Sequence, residues 1–285
     1  MKLIVEPEGG IGPILSAIAG ARTAIDIVIF RLDCKSVTRG LEAAVGRGVA
    51  VRAMIARKHG GKSGDLRKLE RRLLRSGAVL SRTAGDLVRY HSKMMIVDRR
   101  VLHVYGFNYT ERDYKSRSFG IETTDPALIR EAQELFDADA ARRPYRLGGG
   151  ELVVSPDNAR QRLSDFIRGA RRQLLIYDPR LSDAAIHSLL TDRADAGVDV
   201  RVIGKTRDLR SPLKVEKYPG FRLHVRAIIR DGRHAFVGSQ SLGPTELDRR
   251  REVGVIVGNA AIVRRMQAIF EHDWLQTHGG RASRQ

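Results

Sequence analysis

The stretch IAGARTAIDIV at residues 18–28 returns as IRGARRQLLIY at residues 167–177, and each copy has the pattern of a helix end, a glycine and a buried strand. At the same offset, GVAVR at residues 48–52 matches GVDVR at residues 197–201, a glycine helix stop followed by a strand. A helix-strand-helix-strand order that occurs twice predicts an α/β fold. We expect two similar α/β lobes, each a mainly parallel or mixed sheet flanked by helices, in a bilobal body with pseudo-twofold symmetry.

The boundary between the two copies is predicted at the three glycines of residues 148–150. Consecutive glycines weaken helices and strands and are typical of a connection. The chain is therefore divided into a first lobe at residues 1–147 and a second lobe at residues 151–278. The polar tail from Gly279 to Gln285 is expected to fray.

The composition restricts the class of protein and its partners. A net charge of +18 favours polyanionic partners such as nucleic acid or an anionic lipid surface, although an arginine-rich proteome would give the same excess. Cys34 is the single cysteine, which excludes a disulfide framework or a cysteine zinc cluster within the chain. The first residues lack the apolar core of a signal peptide, and no apolar run is long enough to span a membrane. We expect a cytoplasmic protein, with peripheral membrane association as an alternative.

A basic insertion makes the first copy longer than the second. Within it, residues 65–75 are predicted to form an exposed helix with Leu66, Leu69, Leu73 and Leu74 on the buried side. Its charged face is either a solvated surface or a surface for phosphates or lipid headgroups. The cations of the insertion are Arg57, Lys58, Lys62, Arg67, Lys68, Arg71, Arg72 and Arg75.

A histidine, a cation two residues later and an aspartate five residues after that occur once in each copy. Alternate residues of a strand share a face, so each histidine and its cation point into one space. The aspartates fall at predicted hairpin turns, where aspartate is common whatever the function. The duplication favours a functional interpretation of the whole motif. The residues are His91, Lys93 and Asp98 in the first copy and His224, Arg226 and Asp231 in the second.

This doubled motif resembles the signature of the phospholipase D superfamily, and the resemblance covers nearly the whole chain. Glu252 is similar to the glutamate that follows the second motif in that family, and Ser118 stands at the matching place in the first copy. Asn108 and Ser239 match polar positions after the two motifs. The sequence departs from the family pattern in three places: Arg226 replaces a lysine, Tyr105 a glycine and Ser241 an asparagine.

The resemblance implies a mechanism. One histidine attacks phosphorus to form a covalent phosphohistidine, and the other protonates the leaving oxygen and then activates water or an alcohol. In most relatives the first histidine is the nucleophile, which assigns that role to His91 and the acid and base role to His224. Lys93 and Arg226 would bind the non-bridging oxygens. Asp98, Asp231 and Glu252 are the candidates for the carboxylates that hydrogen-bond the histidines, and the pairing is left open. No metal or other cofactor is expected.

Three functions remain in order of preference. The first is a phosphodiesterase of phospholipase D type that cleaves or transfers a phospholipid, similar to the soluble catalytic part of bacterial cardiolipin synthases. The second is a metal-independent nuclease of the same superfamily. The third is a non-catalytic protein that binds anionic lipid or nucleic acid. Because one chain holds both motifs, a monomer is expected to suffice.

Overall fold

The computed structural model describes residues 1–57, 63–146, 150–206 and 213–278. It contains two eight-stranded mixed sheets with helices packed against them, one sheet built mainly from each copy of the repeat. The predicted α/β architecture of two similar lobes is confirmed. The glycines at residues 148 and 149, the tail from residue 279, and Lys58 and Lys62 lie outside the described residues.

The first sheet places the first histidine motif near its centre. Its strands have the order β1-β8-β7-β6-β2-β3-β4; β2, β3 and β4 run parallel to one another, and β1, β8, β7, β6 and β2 are joined by antiparallel pairs. The elements of this part of the chain are β1 (Lys2–Glu6), α1 (Gly12–Gly20), β2 (Ala24–Ile29), α2 (Lys35–Gly46), β3 (Ala50–Ile55), α3 (Ser63–Ser76), β4 (Val79–Arg82), β5 (Arg89–Tyr90), β6 (Met94–Val97), β7 (Val101–Tyr105), α4 (Glu111–Tyr114), β8 (Ser116–Thr123) and α5 (Pro126–Ala140).

The second sheet repeats this arrangement. Its order is β12-β11-β10-β14-β15-β16, and a further strand, β9, pairs antiparallel with β16 as β1 does with β8. The elements are β9 (Leu152–Ser155), α6 (Ala159–Arg168), β10 (Gln173–Leu181), α7 (Ala184–Asp195), β11 (Asp199–Thr206), β12 (Lys214–Glu216), β13 (Arg222–Leu223), β14 (Ala227–Arg230), β15 (His234–Gly238), α8 (Pro244–Asp248), β16 (Arg250–Val257) and α9 (Ala260–Trp274).

The two sheets exchange their shortest strands. β5 belongs to the first copy but pairs parallel with β16, and β13 belongs to the second copy but pairs parallel with β8. Each exchanged strand directly precedes a motif histidine. The exchange therefore brings both histidines to the interface between the sheets.

Local sequence signals explain where the elements begin and end. Asp125 and Asn259 cap α5 and α9 at equivalent positions, each accepting hydrogen bonds from two backbone amides of the first turn. Gly48 and Gly197 have φ values of 85° and 84°, which suits glycine after a helix and confirms the predicted stops. The duplication thus extends to the residues that terminate the helices.

The described residues form three hydrophobic cores. One lies between the first sheet and helices α1 to α3, and a second lies between the second sheet and α6 and α7. The third joins inward-facing residues of both sheets, such as Leu102, Val104, Leu175 and Ile229, with residues of α5 and α9. Because burial of apolar area is the main favourable term in folding, this shared core fixes the two sheets against each other.

The basic helix of the insertion forms as α3, with one difference from the prediction. Leu69 and Leu73 are buried and Leu66 packs at the edge of the first core, but Leu74 is 57% exposed. Leu74 lies in the last turn next to the fully buried Leu73, at the border of the apolar stripe. No helix in the described ranges has the length and apolar character needed to cross a membrane.

Candidate active site

Both motif histidines line one cavity between the sheets. The exchanged strands extend as far as the histidines, since the backbone amide of His91 donates to the carbonyl of Arg251 at 2.8 Å and that of His224 donates to Arg117 at 3.1 Å. The cavity has a volume of about 200 Å³ and is lined by both imidazoles. The structure therefore brings the two half-sites together as the duplication predicts.

The first half-site pairs His91 with a buried carboxylate. The Nδ1 atom of His91 lies 2.8 Å from Oε2 of Glu252, and the ring of Phe30 packs edge-on against the imidazole. Burial lowers the pKa of His91, and the charges of Lys93 and Arg226 lower it further, so the ring is neutral near pH 7. A neutral ring that donates its Nδ1 proton to Glu252 leaves the Nε2 lone pair for substrate.

In the second half-site, the carboxylate lies further from the histidine. The Nδ1 atom of His224 lies 3.4 Å from Oδ2 of Asp113, a residue of α4. That same oxygen accepts hydrogen bonds from the backbone amide and the side-chain amide of Asn108, at 2.9 and 2.6 Å. Burial lowers the pKa of His224, and Arg226 and Lys93 add to the effect. Asp113 thus accepts close hydrogen bonds from Asn108 and Arg222, and Nδ1 of His224 has no hydrogen-bond partner among the described residues, whereas Glu252 faces His91 closely.

The two motif cations lie in equivalent positions. Nζ of Lys93 donates to the carbonyl of His91 at 2.5 Å, and Nη1 of Arg226 donates to the carbonyl of His224 at 2.7 Å. Arg226 also donates from Nε to Oγ of Ser241 at 3.2 Å. Burial lowers the pKa of both cations. Two buried cations thus lie beside the two histidines, a distribution of charge that suits a phosphate group.

The supporting residues of the motifs are buried around this site. Burial raises the pKa of Glu252, and Lys93 and the nearby Ser239 oppose this rise. Ser118 is buried on β8 opposite Glu6, and its hydroxyl has no hydrogen-bond partner among the described residues. Ser118 therefore does not supply the carboxylate that Glu252 supplies in the other half.

Asp98 and Asp231 lie at hairpin turns and not beside the histidines. The carboxylate of Asp98 accepts hydrogen bonds from the backbone amides of residues 22, 23 and 24, and that of Asp231 accepts them from residues 171, 172 and 173. Of the three carboxylates proposed as histidine partners, the structure places Glu252 alone in that position. The repeated aspartate spacing has a structural cause, because each carboxylate ties a hairpin to the start of a neighbouring strand.

Sequence reasoning missed Asp113 and several arginines of the cavity. Asp113 has no repeated counterpart as a histidine partner, since Glu246 at the equivalent place pairs with Arg250. The available signal was Thr110, which caps α4 by accepting from the amide of Asp113, a spacing typical of a capping motif. Within the described ranges, no cluster of three or more histidine, cysteine or acidic side chains is arranged to hold a metal ion. The cavity arginines are Arg31, Arg89, Arg112 and Arg222.

The chain matches the family described as "Cardiolipin synthase, PLD-like domain" over residues 14–140 and 163–274. It belongs to this cardiolipin synthase-like family of the phospholipase D superfamily. The two matched segments contain both histidine motifs, so the resemblance predicted from the sequence is confirmed. No relative of this cardiolipin synthase-like chain is found among curated proteins.

Solved structures with the same fold carry different activities. Polyphosphate kinase from Porphyromonas gingivalis superposes with a TM-score of 0.79 at 18% identity, covering 95% of this cardiolipin synthase-like chain and 46% of the kinase. Phosphatidylserine synthase from Haemophilus influenzae has a TM-score of 0.72 at 10% identity, covering 97% and 86%. The phospholipase D family member Nuc from Salmonella typhimurium has a TM-score of 0.45 at 23% identity, covering 52% and 99%. The chain thus spans about half the length of the kinase, and the likenesses to the kinase and to phosphatidylserine synthase establish the shared fold.

Proposed function

We propose that this protein cleaves or transfers a phosphodiester of a phospholipid through a covalent phosphohistidine on His91. The observation that carries the assignment is the 2.8 Å contact between Nδ1 of His91 and the buried Glu252, compared with 3.4 Å between His224 and Asp113. A carboxylate at Nδ1 fixes the tautomer with a free Nε2 and stabilises the positive charge that develops on the ring during attack.

The reaction then proceeds in two displacements. Nε2 of His91 attacks phosphorus, the bond from phosphorus to the leaving oxygen breaks, and protonated His224 gives its proton to that oxygen. Neutral His224 next takes a proton from water or an alcohol, whose oxygen attacks phosphorus and releases His91. Lys93 and Arg226 hold the non-bridging oxygens in both steps. The negative phosphate counters the effect of these two cations on His224 and favours its protonated form.

Two observations bear on the substrate. Membership of the cardiolipin synthase-like family supports a phospholipid. The net charge of +18 supports nucleic acid as the second candidate, because such a charge attracts any polyanion. The arginine that replaces a lysine at position 226 supports a third candidate, in which the protein binds anionic lipid or nucleic acid without turnover.

The experiment compares purified wild type with His91→Gln and His224→Gln in the presence of a chelator. Labelled phosphatidylglycerol vesicles and single-stranded DNA are the two substrates, and His272→Gln, which alters an exposed histidine outside the cavity, is the matched control. We expect lipid turnover that falls about a thousandfold or more in both site variants and is retained in the control.

Each other outcome has a defined meaning. Turnover of DNA with the same dependence on both histidines would replace the phospholipid by nucleic acid as the substrate. Full lipid turnover in His91→Gln would refute the assignment of the nucleophile. Binding without turnover of either substrate by the wild type would show a non-catalytic protein.

A further inference from the structure

Two exposed apolar side chains lie at equivalent places next to the cavity. Among the described residues, the large hydrophobic side chains that are exposed are Met1, Leu74, Val79, Val88 and Phe221. Val88 directly precedes Arg89, and Phe221 directly precedes Arg222, and both of these arginines line the cavity. Val88 and Phe221 stand three residues before His91 and His224, so the repeat places one exposed apolar residue at each side of the site.

The exchanged strands hold these two residues in place. The backbone amide of Val88 donates to the carbonyl of Arg249 at 3.0 Å, which extends the pairing of β5 with β16 by one residue. On the other side, Arg222 pairs with Ser116, so the register brings Phe221 next to Lys115. The ring of Phe221 also lies 5.6 Å from the guanidinium carbon of Arg117. The two residues therefore directly precede the exchanged strands at equivalent places.

Each apolar residue has an exposed cation as its cross-strand neighbour. Arg249 lies beside Val88 and Lys115 lies beside Phe221, and both cations are exposed. An apolar side chain next to a cation suits the interface of an anionic bilayer, where the first enters the acyl boundary and the second meets headgroup phosphates. The repeat thus places one such pair of an apolar side chain and a cation at each side of the cavity.

We propose that Val88 and Phe221 insert into the surface of an anionic phospholipid bilayer and so place the cavity against the headgroups. This inference rests on the proposed phospholipid function and adds the surface through which the substrate is reached. Two side chains enter the bilayer, because each copy of the repeat contributes one. Arg249 and Lys115 supply the electrostatic part of the attraction.

The chain offers a matched control away from the cavity. Leu74 and Val79 are 57% and 63% exposed, more than Val88 at 41% and Phe221 at 46%. Val79 pairs with Arg52, three residues before the end of β3, whereas the cavity residue Phe30 directly follows the end of the neighbouring β2. Val79 thus lies away from the strand ends that form the cavity, and neither Leu74 nor Val79 lines it. Their replacement removes two exposed apolar side chains without changing the proposed surface.

The test compares wild type, Val88→Ser/Phe221→Ser and Leu74→Ser/Val79→Ser. Binding is measured by co-sedimentation with phosphatidylglycerol vesicles and with phosphatidylcholine vesicles, and turnover is measured on phosphatidylglycerol vesicles and on soluble bis(4-nitrophenyl) phosphate. For the first double variant we expect a drop of about tenfold or more in affinity for phosphatidylglycerol vesicles and in the ratio of vesicle turnover to soluble turnover. The control variant should match the wild type, and phosphatidylcholine should bind weakly in every case.

Binding and turnover separate this inference from the proposed function. Wild-type affinity of Val88→Ser/Phe221→Ser for phosphatidylglycerol vesicles would overturn the inference, as would an equal loss in the control variant. If that double variant instead lost affinity for single-stranded DNA and kept its affinity for vesicles, the two residues would contribute to the binding of nucleic acid. An absence of turnover in the wild type would count against the proposed function, while co-sedimentation would still decide whether these residues contact the bilayer.

Discussion

Lys93 and Arg226 occupy equivalent positions but differ in how many groups hold them. Each donates to the carbonyl of the histidine two residues earlier, and Arg226 is further fixed by Ser241 and lies 3.4 Å from the carbonyl oxygen of Gly106. The arginine can grip two phosphate oxygens, whereas the lysine acts as a compact charge. The bond that both cations share is the one to the histidine carbonyl, which fixes each cation beside its imidazole.

Replacing Arg226 tests whether charge or shape matters at this position. Arg226→Lys keeps a cation that can reach the carbonyl of His224, so we expect kcat/KM to stay within about tenfold of wild type. Arg226→Ala removes the charge and should cost about a thousandfold. Steady-state kinetics on a soluble phosphodiester measures kcat/KM for both variants. Ser241→Ala, which removes the hydroxyl that accepts from Arg226 but keeps the charge, is the control. Equal losses for the lysine and alanine variants would contradict the assigned role.

The pH dependence follows from the lowered pKa values of both histidines. Protonation of His91 removes the nucleophile, and because its pKa is lowered from 6.5, this loss occurs only at more acidic pH. Deprotonation of His224 removes the acid, and its lowered pKa moves that loss to lower pH as well. We expect the optimum of kcat/KM for a soluble phosphodiester to lie below pH 6.5. An optimum above pH 7.5 would contradict the burial and charge effects described for the site.

At this scale the sequence predicts the histidines and their cations from the doubled motif, and Glu252 from the resemblance to the phospholipase D superfamily. Asp113 could not be predicted from the motif, since its equivalent Glu246 forms a different ion pair and no repeat marks it. The partner role suggested for Asp98 and Asp231 could not be tested without the fold. Their spacing from histidine fits a hairpin of fixed length as well as it fits a catalytic group.

At the scale of elements, the two motif hairpins share one turn geometry but not one sequence. Asp98 and Arg99 have φ values of 52° and 54°, and Asp231 and Gly232 have values of 55° and 64°. The left-handed region suits glycine and strains a side chain such as that of Arg99. The first hairpin therefore carries a backbone cost that the second avoids.

Substitutions at equivalent places in the two turns should change the free energy of unfolding in opposite directions. We expect Arg99→Gly to raise the free energy of unfolding by about 1 kcal/mol and Gly232→Ala to lower it by about 1 kcal/mol. Urea denaturation followed by circular dichroism measures both. Arg100→Gly, one residue further along, is the control and should not stabilise the protein. If Arg99→Gly destabilised the protein as much as the control does, the strain assigned to Arg99 would be contradicted.

The helices and long strands could be predicted from periodicity, but the exchanged strands could not. β5 and β13 have two residues each, and their partners lie in the other half of the chain. Such pairs leave no local pattern, because alternation needs a longer segment to be visible. The exposure of Leu74 could not be predicted for a similar reason. Helical periodicity alone does not show which side chains at the border of an apolar stripe are covered.

At the scale of the whole molecule, reciprocal ion pairs join the two halves. Arg117 of β8 binds Asp273 of α9 at 2.9 Å, and Arg251 of β16 lies 3.1 Å from Asp139 of α5. In each pair the strand comes from one copy and the helix from the other. The pairs lie next to the histidines, because His224 and His91 bond to the carbonyls of Arg117 and Arg251.

Loss of one buried partner should therefore weaken the assembly. The side chains of Arg117 and Asp273 are 4% and 0% exposed, so Asp273→Asn leaves a buried cation with less compensation. We expect the free energy of unfolding to fall by about 3 kcal/mol. Glu8→Gln is the control, because Glu8 contacts the same arginine but is 53% exposed, and its loss should cost less than about 1 kcal/mol. Equal effects of the two changes, measured by chemical denaturation, would contradict this account.

The bilobal architecture was predictable because helix stops and strands recur at one offset along the chain. The shared core and the interlobe ion pairs were not, since they depend on how two similar units face each other. A duplicated sequence indicates two units but does not specify their contact. That contact creates the cavity, and it brings Glu252 of one half to His91 of the other.

The central claim is that His91 carries the covalent intermediate, and trapping it is the most direct test. His224→Asn should slow breakdown of the intermediate, and a substrate with a good leaving group should allow it to form without the acid. Intact-mass spectrometry after rapid quenching, followed by peptide mapping, should then show one acid-labile adduct on His91 and none in His91→Asn/His224→Asn. An adduct on another residue, or turnover by His91→Asn at the wild-type rate, would contradict the claim.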